Sequence, residues 1–299
     1  MSPLSGTTKG VVVSLTASCL FGLMYYYATL LGPLGGLEIF GWRTLSTLPF
    51  LSLFMVRAGL WPLVTEIADR VRRNKLLALF LALSSFLVGV QFWLFLWAPV
   101  NGRALEVSLG YLLMPLVMVV CGRVFFKELL LPYQKLAVAF AALGVGNQIY
   151  RAGGISWEVL LVALGFPAYF TLRRRMGTDH LGGLWFDILF MVPAACLIIS
   201  GSANGWGVFL PHPEMAALIP VLGVLSATAV GCCILASRYL PLGLFGLLSY
   251  MEPVLLVVVS LILGERIHPQ EYLTYIGVGL AVGTLALGGL RRAHPKKRL

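Results

Sequence analysis

The sequence predicts an all-α integral membrane protein: ten transmembrane helices as two inverted five-helix repeats, with both termini cytoplasmic. Three observations lead there. The chain is 59% hydrophobic and 11% charged, with a mean hydropathy of +0.90. Apolar stretches near 20 residues long follow one another along its whole length, and two segments in opposite halves match. That composition excludes a soluble core. Only helices satisfy their own backbone in lipid over such lengths, and no ten-residue alternation suggests a barrel.

In order, the expected spans are Lys9–Leu31, Leu37–Val56, Leu76–Ala98, Leu105–Phe126, Gln134–Tyr150, Ile155–Leu172, Leu184–Ser200, Met215–Ala236, Leu242–Leu263 and Tyr272–Leu290. Each approaches the length needed to cross the hydrocarbon layer. The first shows no small-residue cleavage site and reads as a retained helix. The second opens with Glu38 and Arg43, and the third carries Gln91, Trp93 and Trp97. Glu106, Tyr111 and Pro115 lie on the fourth, ahead of a Gly/Ala-rich fifth. The sixth runs into Arg173–Arg175, read as a cytoplasmic charge run, and the seventh holds Asp187. After an apolar eighth, the ninth brings Tyr250, Glu252 and Pro253, and the tenth is again Gly/Ala-rich. The connections Arg57–Lys75 and Gly201–Glu214 are too short to bury cores of their own.

A net charge of +10 resembles a nucleic-acid signal until its placement is considered. With a cytoplasmic amino terminus, 18 of the 22 Lys and Arg residues fall on inner segments, leaving Arg103, Arg151 and Arg266 outside and Arg43 within a helix. The positive-inside rule therefore places both termini in the cytoplasm. The basic tail serves as a topology signal and an anchor for anionic lipid, and no nucleic-acid partner is expected. Cys19, Cys121, Cys196, Cys232 and Cys233 all fall in spans, and the four histidines read as loop residues without metal-ligand spacing. Neither a disulfide framework, a metal site nor a cofactor is expected.

The repeat is carried by Leu109-Gly-Tyr111-Leu-Leu-Met-Pro115, Lys127-Glu128 and Pro132 against Ser249-Tyr250-Met-Glu-Pro253, Gly264-Glu265 and Pro269. The first prolines are 138 apart, the glutamates and later prolines 137, so the match needs a one-residue slip. A Gly/Ala-rich helix follows each copy, Ala137–Gly146 and Thr274–Gly283. Five spans separate the copies, an odd number that reverses orientation. The halves are residues 1–151 and 152–299, an architecture that points to secondary transporters with substrate held near midplane. Pro115 and Pro253 cannot donate to the carbonyls of Tyr111 and Ser249, which makes both positions candidate hinges.

At these residues the chain resembles the drug/metabolite transporter superfamily and, within its EamA group, the RarD-like permeases. The resemblance covers nearly the whole chain. It is carried by Phe95-Leu-Trp97-Ala-Pro-Val-Asn101, Leu105-Glu106-Val-Ser108-Leu-Gly110-Tyr111, Pro115 and Glu128, with support from Glu38, Arg43, Tyr169 before Arg173–Arg175, Asp187 with Pro193, Tyr250, Pro253 and Gly264-Glu265. It implies export of small metabolites or drugs by alternating access from a bacterial inner membrane. The chain departs from the family pattern at Glu252, at Gln91 and in the extra residue before the second repeat, which points to a shifted substrate.

Arg43 shares a helix face with Ser46 and Thr47, a stripe that lipid rejects and that suits a substrate carboxylate; an ion pair with Glu38 or Glu106 is the structural alternative. A carboxylate within a span costs about 2.5–3.5 kcal/mol on insertion scales, so Glu252 should face a cavity or a partner. Glu252 and Asp187 can each hold an ammonium or take up a proton. Arg43 and Glu252 together suit a zwitterion, or neutralise one another. Tyr111, Tyr250, Gln91 and Trp93 complete the expected binding set, with Glu38 and Glu106 as gates beside the Pro115 and Pro253 hinges. The expected partner is a small-molecule metabolite, and a monomer is the simplest state. No HExxH, paired-aspartate, GxGxxG or serine–histidine arrangement favours an enzyme. Efflux of hydrophobic drugs such as chloramphenicol is the rival function; a channel or an intramembrane enzyme ranks below it.

Overall fold

A computed structural model describes residues 6–100, 104–151, 154–202, 205–255 and 272–293, and every regular element among them is a helix. In chain order these are α1 (Gly6–Ala28), α2 (Gly36–Arg57), α3 (Pro62–Arg73), α4 (Lys75–Val100), α5 (Ala104–Phe126), α6 (Pro132–Arg151), α7 (Trp157–Met176), α8 (Leu181–Ser200), α9 (Met215–Tyr239), α10 (Leu242–Leu248) and α11 (Tyr272–Ala293). A further helical stretch covers residues 251–255. Helices α1, α2, α4, α5, α8 and α9 contain segments long and apolar enough to cross a membrane; Leu242–Leu255 and Tyr272–Gly288 are shorter apolar helices. Asn101, Arg103, Gly264, Glu265, Arg266, His268, Pro269 and the tail from His294 lie outside the described residues, as do the side chains of Phe95 and Trp97.

Large apolar side chains stand exposed along the described helices. Phe86, Leu143 and Leu197 are 65%, 71% and 75% exposed, an arrangement suited to hydrocarbon rather than water.

Helix α3 corrects the reading of Arg57–Lys75 as a bare connection. Pro62 supplies the first-turn residue whose fixed φ starts a helix. Val64, Ile67 and Val71 recur on one face; Val64 and Ile67 are buried, and Ile67 joins Leu77 and Leu81 in a small core against which Val71, Met176 and Phe186 pack. A Cβ on Gly182 would lie 2.5 Å from the Leu63 carbonyl, so the α8 amino terminus requires glycine to admit α3.

The chain condenses into two units, each drawn from both halves of the sequence. One comprises Met1–Ala104 and Ala168–Tyr239, the other Leu105–Pro167 and Leu240–Leu299, so α7 divides at Pro167. In the first unit α1 packs on α9, α2 on α8 and α9, and α4 on α8. Leu31, Trp42, Ile199, Val208, Met215 and Leu222 form a core at one end of this unit. In the second, α6 and α11, the Gly/Ala-rich helices that end the two halves, pack along one another. Gly144 and Gly277 mark their crossing: a Cβ on Gly277 would lie 2.9 Å from both Gly144 Cα and the Phe140 carbonyl.

The two repeat prolines behave differently. α5 runs unbroken through Pro115, whereas the ninth expected span is interrupted at Ser249–Tyr250, just before Pro253. There the bonding tightens to three-residue closures, Tyr250 N–H to the Leu247 carbonyl at 3.3 Å and Glu252 N–H to the Ser249 carbonyl at 3.1 Å. Pro253 has no N–H to give to Ser249, and the Glu252 amide takes that acceptor instead.

Candidate functional site

Arg43 projects from α2 within the first unit and is half-buried. Its Nε donates to the Ser226 hydroxyl of α9 at 2.9 Å, and its guanidinium carbon lies 4.5 Å from the Phe92 ring centroid on α4. A hydroxyl and an aromatic face are favourable company for a cation in a dry setting. The hydroxyls expected to share its stripe turn back on their own helix: Thr47 donates to the Arg43 carbonyl at 2.6 Å and Ser46 to the Trp42 carbonyl at 2.7 Å. Gln91, next to Phe92, is buried, and Trp93 is half-buried. Glu38 is buried at the α2 amino terminus, where Oε2 accepts the Gly35 N–H at 2.8 Å.

A second polar constellation in the same unit centres on Asp187, which is 0% exposed. Its Oδ1 accepts from the Ser84 hydroxyl of α4 at 2.8 Å. Its Oδ2 accepts from the Tyr169 hydroxyl of α7 at 2.8 Å and pairs with the Arg173 guanidinium. The Asp187 backbone carbonyl accepts from Ser85 at 2.8 Å. Arg173, read from sequence as part of a cytoplasmic charge run, is 1% exposed. Tyr169 and Arg173 are four residues apart and so share a helix face. A Cβ on Gly183 would lie 2.5 Å from Arg173 Nη2, so glycine there makes room for the buried guanidinium.

A second arginine of that run and one of α3 bind backbone carbonyls as well. Arg173 Nη2 donates to the His180 carbonyl at 3.0 Å, and Arg174 to the Ser237 carbonyl at 2.5 Å. Arg70 of α3 donates to the Met176 carbonyl at 2.7 Å. His180, expected as a loop residue, caps α8 with Nδ1 accepting the Gly182 N–H at 3.2 Å. Burial, reinforced by the Arg173 charge, pushes its imidazole below the ordinary 6.5.

In the second unit, Tyr250 is 0% exposed and its hydroxyl donates to the Leu112 carbonyl at 2.9 Å. Counted back from Pro115 and Pro253, Leu112 and Tyr250 hold the same place in the two matching sequence segments. Tyr111 is half-buried with its ring 5.8 Å from Phe166. Glu128 holds the amino terminus of α10, accepting the Leu242 and Gly243 N–H groups at 2.6 and 2.8 Å. Glu106 and Glu252 are half-buried. Arg43 and Asp187 thus belong to one unit and Tyr111, Tyr250 and Glu252 to the other. No group of three His, Cys, Asp or Glu residues suited to a metal occurs among the described residues.

Residues 8–146 match the EamA-like transporter family. An uncharacterized transporter of Haemophilus influenzae is 39% identical over 97% of both chains. The chain belongs to the EamA-like transporter family. Within the drug/metabolite transporter superfamily it is a RarD-like permease: the chloramphenicol-sensitive protein RarD of Pseudomonas aeruginosa is 42% identical over 92% of each chain. A solved crystal structure shares the fold with a TM-score of 0.66 and 15% identity, covering 94% of this chain and 99% of the other. This EamA-family transporter is therefore a multi-pass protein of the bacterial inner membrane.

Four residues of this transporter's polar sites escaped sequence reading in their roles. Ser84, beside Ser85, and Ser226 are hydroxyls in apolar helices and carry no local signal. The roles of Tyr169 and Arg173 were signalled by four-residue spacing and by the Gly182-Gly183 pair opposite.

Proposed function

We propose that this transporter exports small zwitterionic, amino-acid-like metabolites, opine-type metal chelators among them, by alternating access between inverted repeats 1–151 and 152–299 with both termini cytoplasmic. Arg43 is the observation that carries the reading. Its guanidinium is oriented within an apolar span by a hydroxyl and a ring from two other helices, and guanidinium geometry matches a carboxylate. Glu252 answers the ligand's ammonium. Tyr111, Tyr250, Gln91, Trp93 and Asp187 complete the polar lining, Glu38 and Glu106 act as gates, Pro115 and Pro253 as hinges, and anionic lipid meets the cytoplasmic basic residues.

A second reading, efflux of hydrophobic drugs such as chloramphenicol, is favoured by the name of the Pseudomonas relative. One experiment separates the two. Medium and cytoplasm are profiled for metabolites from cells carrying the wild type, Arg43→Gln at matched protein level, or no gene. A zwitterion that leaves the medium and accumulates inside both altered strains supports the proposal. Unchanged pools, with altered chloramphenicol tolerance, would move drug efflux ahead.

A further inference from the structure

The break between α10 and residues 251–255 leaves backbone groups unmatched inside an apolar span. Moving along it, the Gly246 carbonyl accepts from Ser249, the Leu247 carbonyl from Tyr250 and the Ser249 carbonyl from Glu252. The Leu248 carbonyl is skipped: it has no backbone donor among the described residues. Leu248 and Ser249 are half-buried rather than enclosed in the core. Leu248 lies about 9 Å along the span from Leu242, at 1.5 Å per residue. A bare carbonyl at that depth needs a partner, and a neighbouring side chain, water or a ligand can supply it.

The break is held in place rather than slack. Glu128 fixes the amino end of α10 through Leu242 and Gly243. Tyr250 fixes the other end through the Leu112 carbonyl of α5. Pro253 keeps the helix from closing, since an N–H there would take the Ser249 carbonyl and return the Glu252 amide to Leu248. The carboxyl end of α10 also carries the negative pole of its peptide dipoles, and Glu252 adds a carboxylate four positions after Leu248. A carbonyl, a helix carboxyl end and a carboxylate together form a cation's environment.

We propose that the Leu248–Glu252 break is a binding site for a monovalent cation, ligated by the Leu248 carbonyl and the Glu252 carboxylate. The cation is either an alkali-metal ion or the primary ammonium of the substrate; the second case rests on the zwitterion reading above, the first does not.

The test needs no transport. Thermal unfolding of the purified full chain in detergent is followed in sodium chloride, methylammonium chloride and choline chloride at equal ionic strength. A higher midpoint in sodium than in choline identifies an inorganic ion. A rise with methylammonium alone identifies an ammonium subsite. In either case Glu252→Gln and Pro253→Ala should each weaken the cation dependence about tenfold or more, the scale of losing one bond to a charged group. Pro253→Ala keeps the carboxylate and closes the backbone, so it tests the carbonyl; Glu252→Gln is nearly isosteric and decides the matter if the proline variant does not fold. Equal midpoints in all three salts, or full cation dependence in both variants, would overturn the site. Failure of the export reading would leave this readout untouched.

Discussion

At Asp187, two hydroxyls and a guanidinium from α4 and α7 converge on one carboxylate of α8. Ionic groups are costly to bury and costlier to leave unpaired, so removing one partner of such a pair destabilises by about 3–5 kcal/mol while replacing both with apolar residues is far milder. Asp187→Asn and Arg173→Met should each lower the unfolding midpoint sharply, and Arg173→Met with Asp187→Leu should recover most of the loss. A double variant as unstable as the sum of the singles would show that the two residues act independently. His180 gives a pH signature. Its folded pKa lies below the unfolded value near 6.5, so the unfolded chain binds the proton first. The stability contribution is complete above 6.5 and is lost as pH falls through the depressed folded value. The unfolding midpoint should therefore drop on acidification below 6.5, and less so in His180→Asn, which retains a capping oxygen; parallel curves would exclude His180 as the source. Asp187 was legible as an out-of-place charge in an apolar run. Its partners were harder to find, because a serine in a membrane helix looks like packing and Arg173 stands in a run of three arginines.

Among the helices, most boundaries follow from apolar length, and the departures have local causes. α3 was readable in Pro62, Val64, Ile67 and Val71, but its polar exposed face lowered the hydropathy below that of a span. The Ser249–Tyr250 interruption follows from Pro253; Pro115 stands in the same motif within a continuous helix, so proline alone does not specify a break. The α6–α11 crossing depends on missing side chains. A Cβ on Gly277 would already fall within 2.9 Å of two backbone atoms, and over-packing of this kind costs about 1–3 kcal/mol. Gly277→Val should lower the midpoint accordingly, whereas Gly279→Val, with nothing within 4 Å of its Cβ position, should leave it close to wild type. Equal effects would contradict the crossing.

For the whole molecule, the proposed ten spans place both ends on one side of the membrane. A carboxyl-terminal green fluorescent fusion should fluoresce and an alkaline phosphatase fusion at the same point should be inactive, since the first matures in the cytoplasm and the second only outside it. The reverse pattern would put the carboxyl terminus outside and overturn the cytoplasmic placement of that end. Membrane class, transporter family and inner-membrane location were legible because they depend on composition and on motifs local in sequence.

Hydrophobic length and the scarcity of charge by themselves determined that this chain is helical and membrane-embedded, since lipid permits few other ways to satisfy a backbone. Proline positions added where a span could bend. Only the tertiary structure decided which polar groups meet: Arg43 with Ser226, Asp187 with Ser84 and Arg173, Tyr250 with the Leu112 carbonyl. Each of these contacts joins residues 14 to 183 positions apart, and helix packing, not local spacing, selects such pairs. For the same reason the compact units cut across the sequence halves. Matching motifs in the two halves are local in sequence, but burial of side chains determines what each helix packs against.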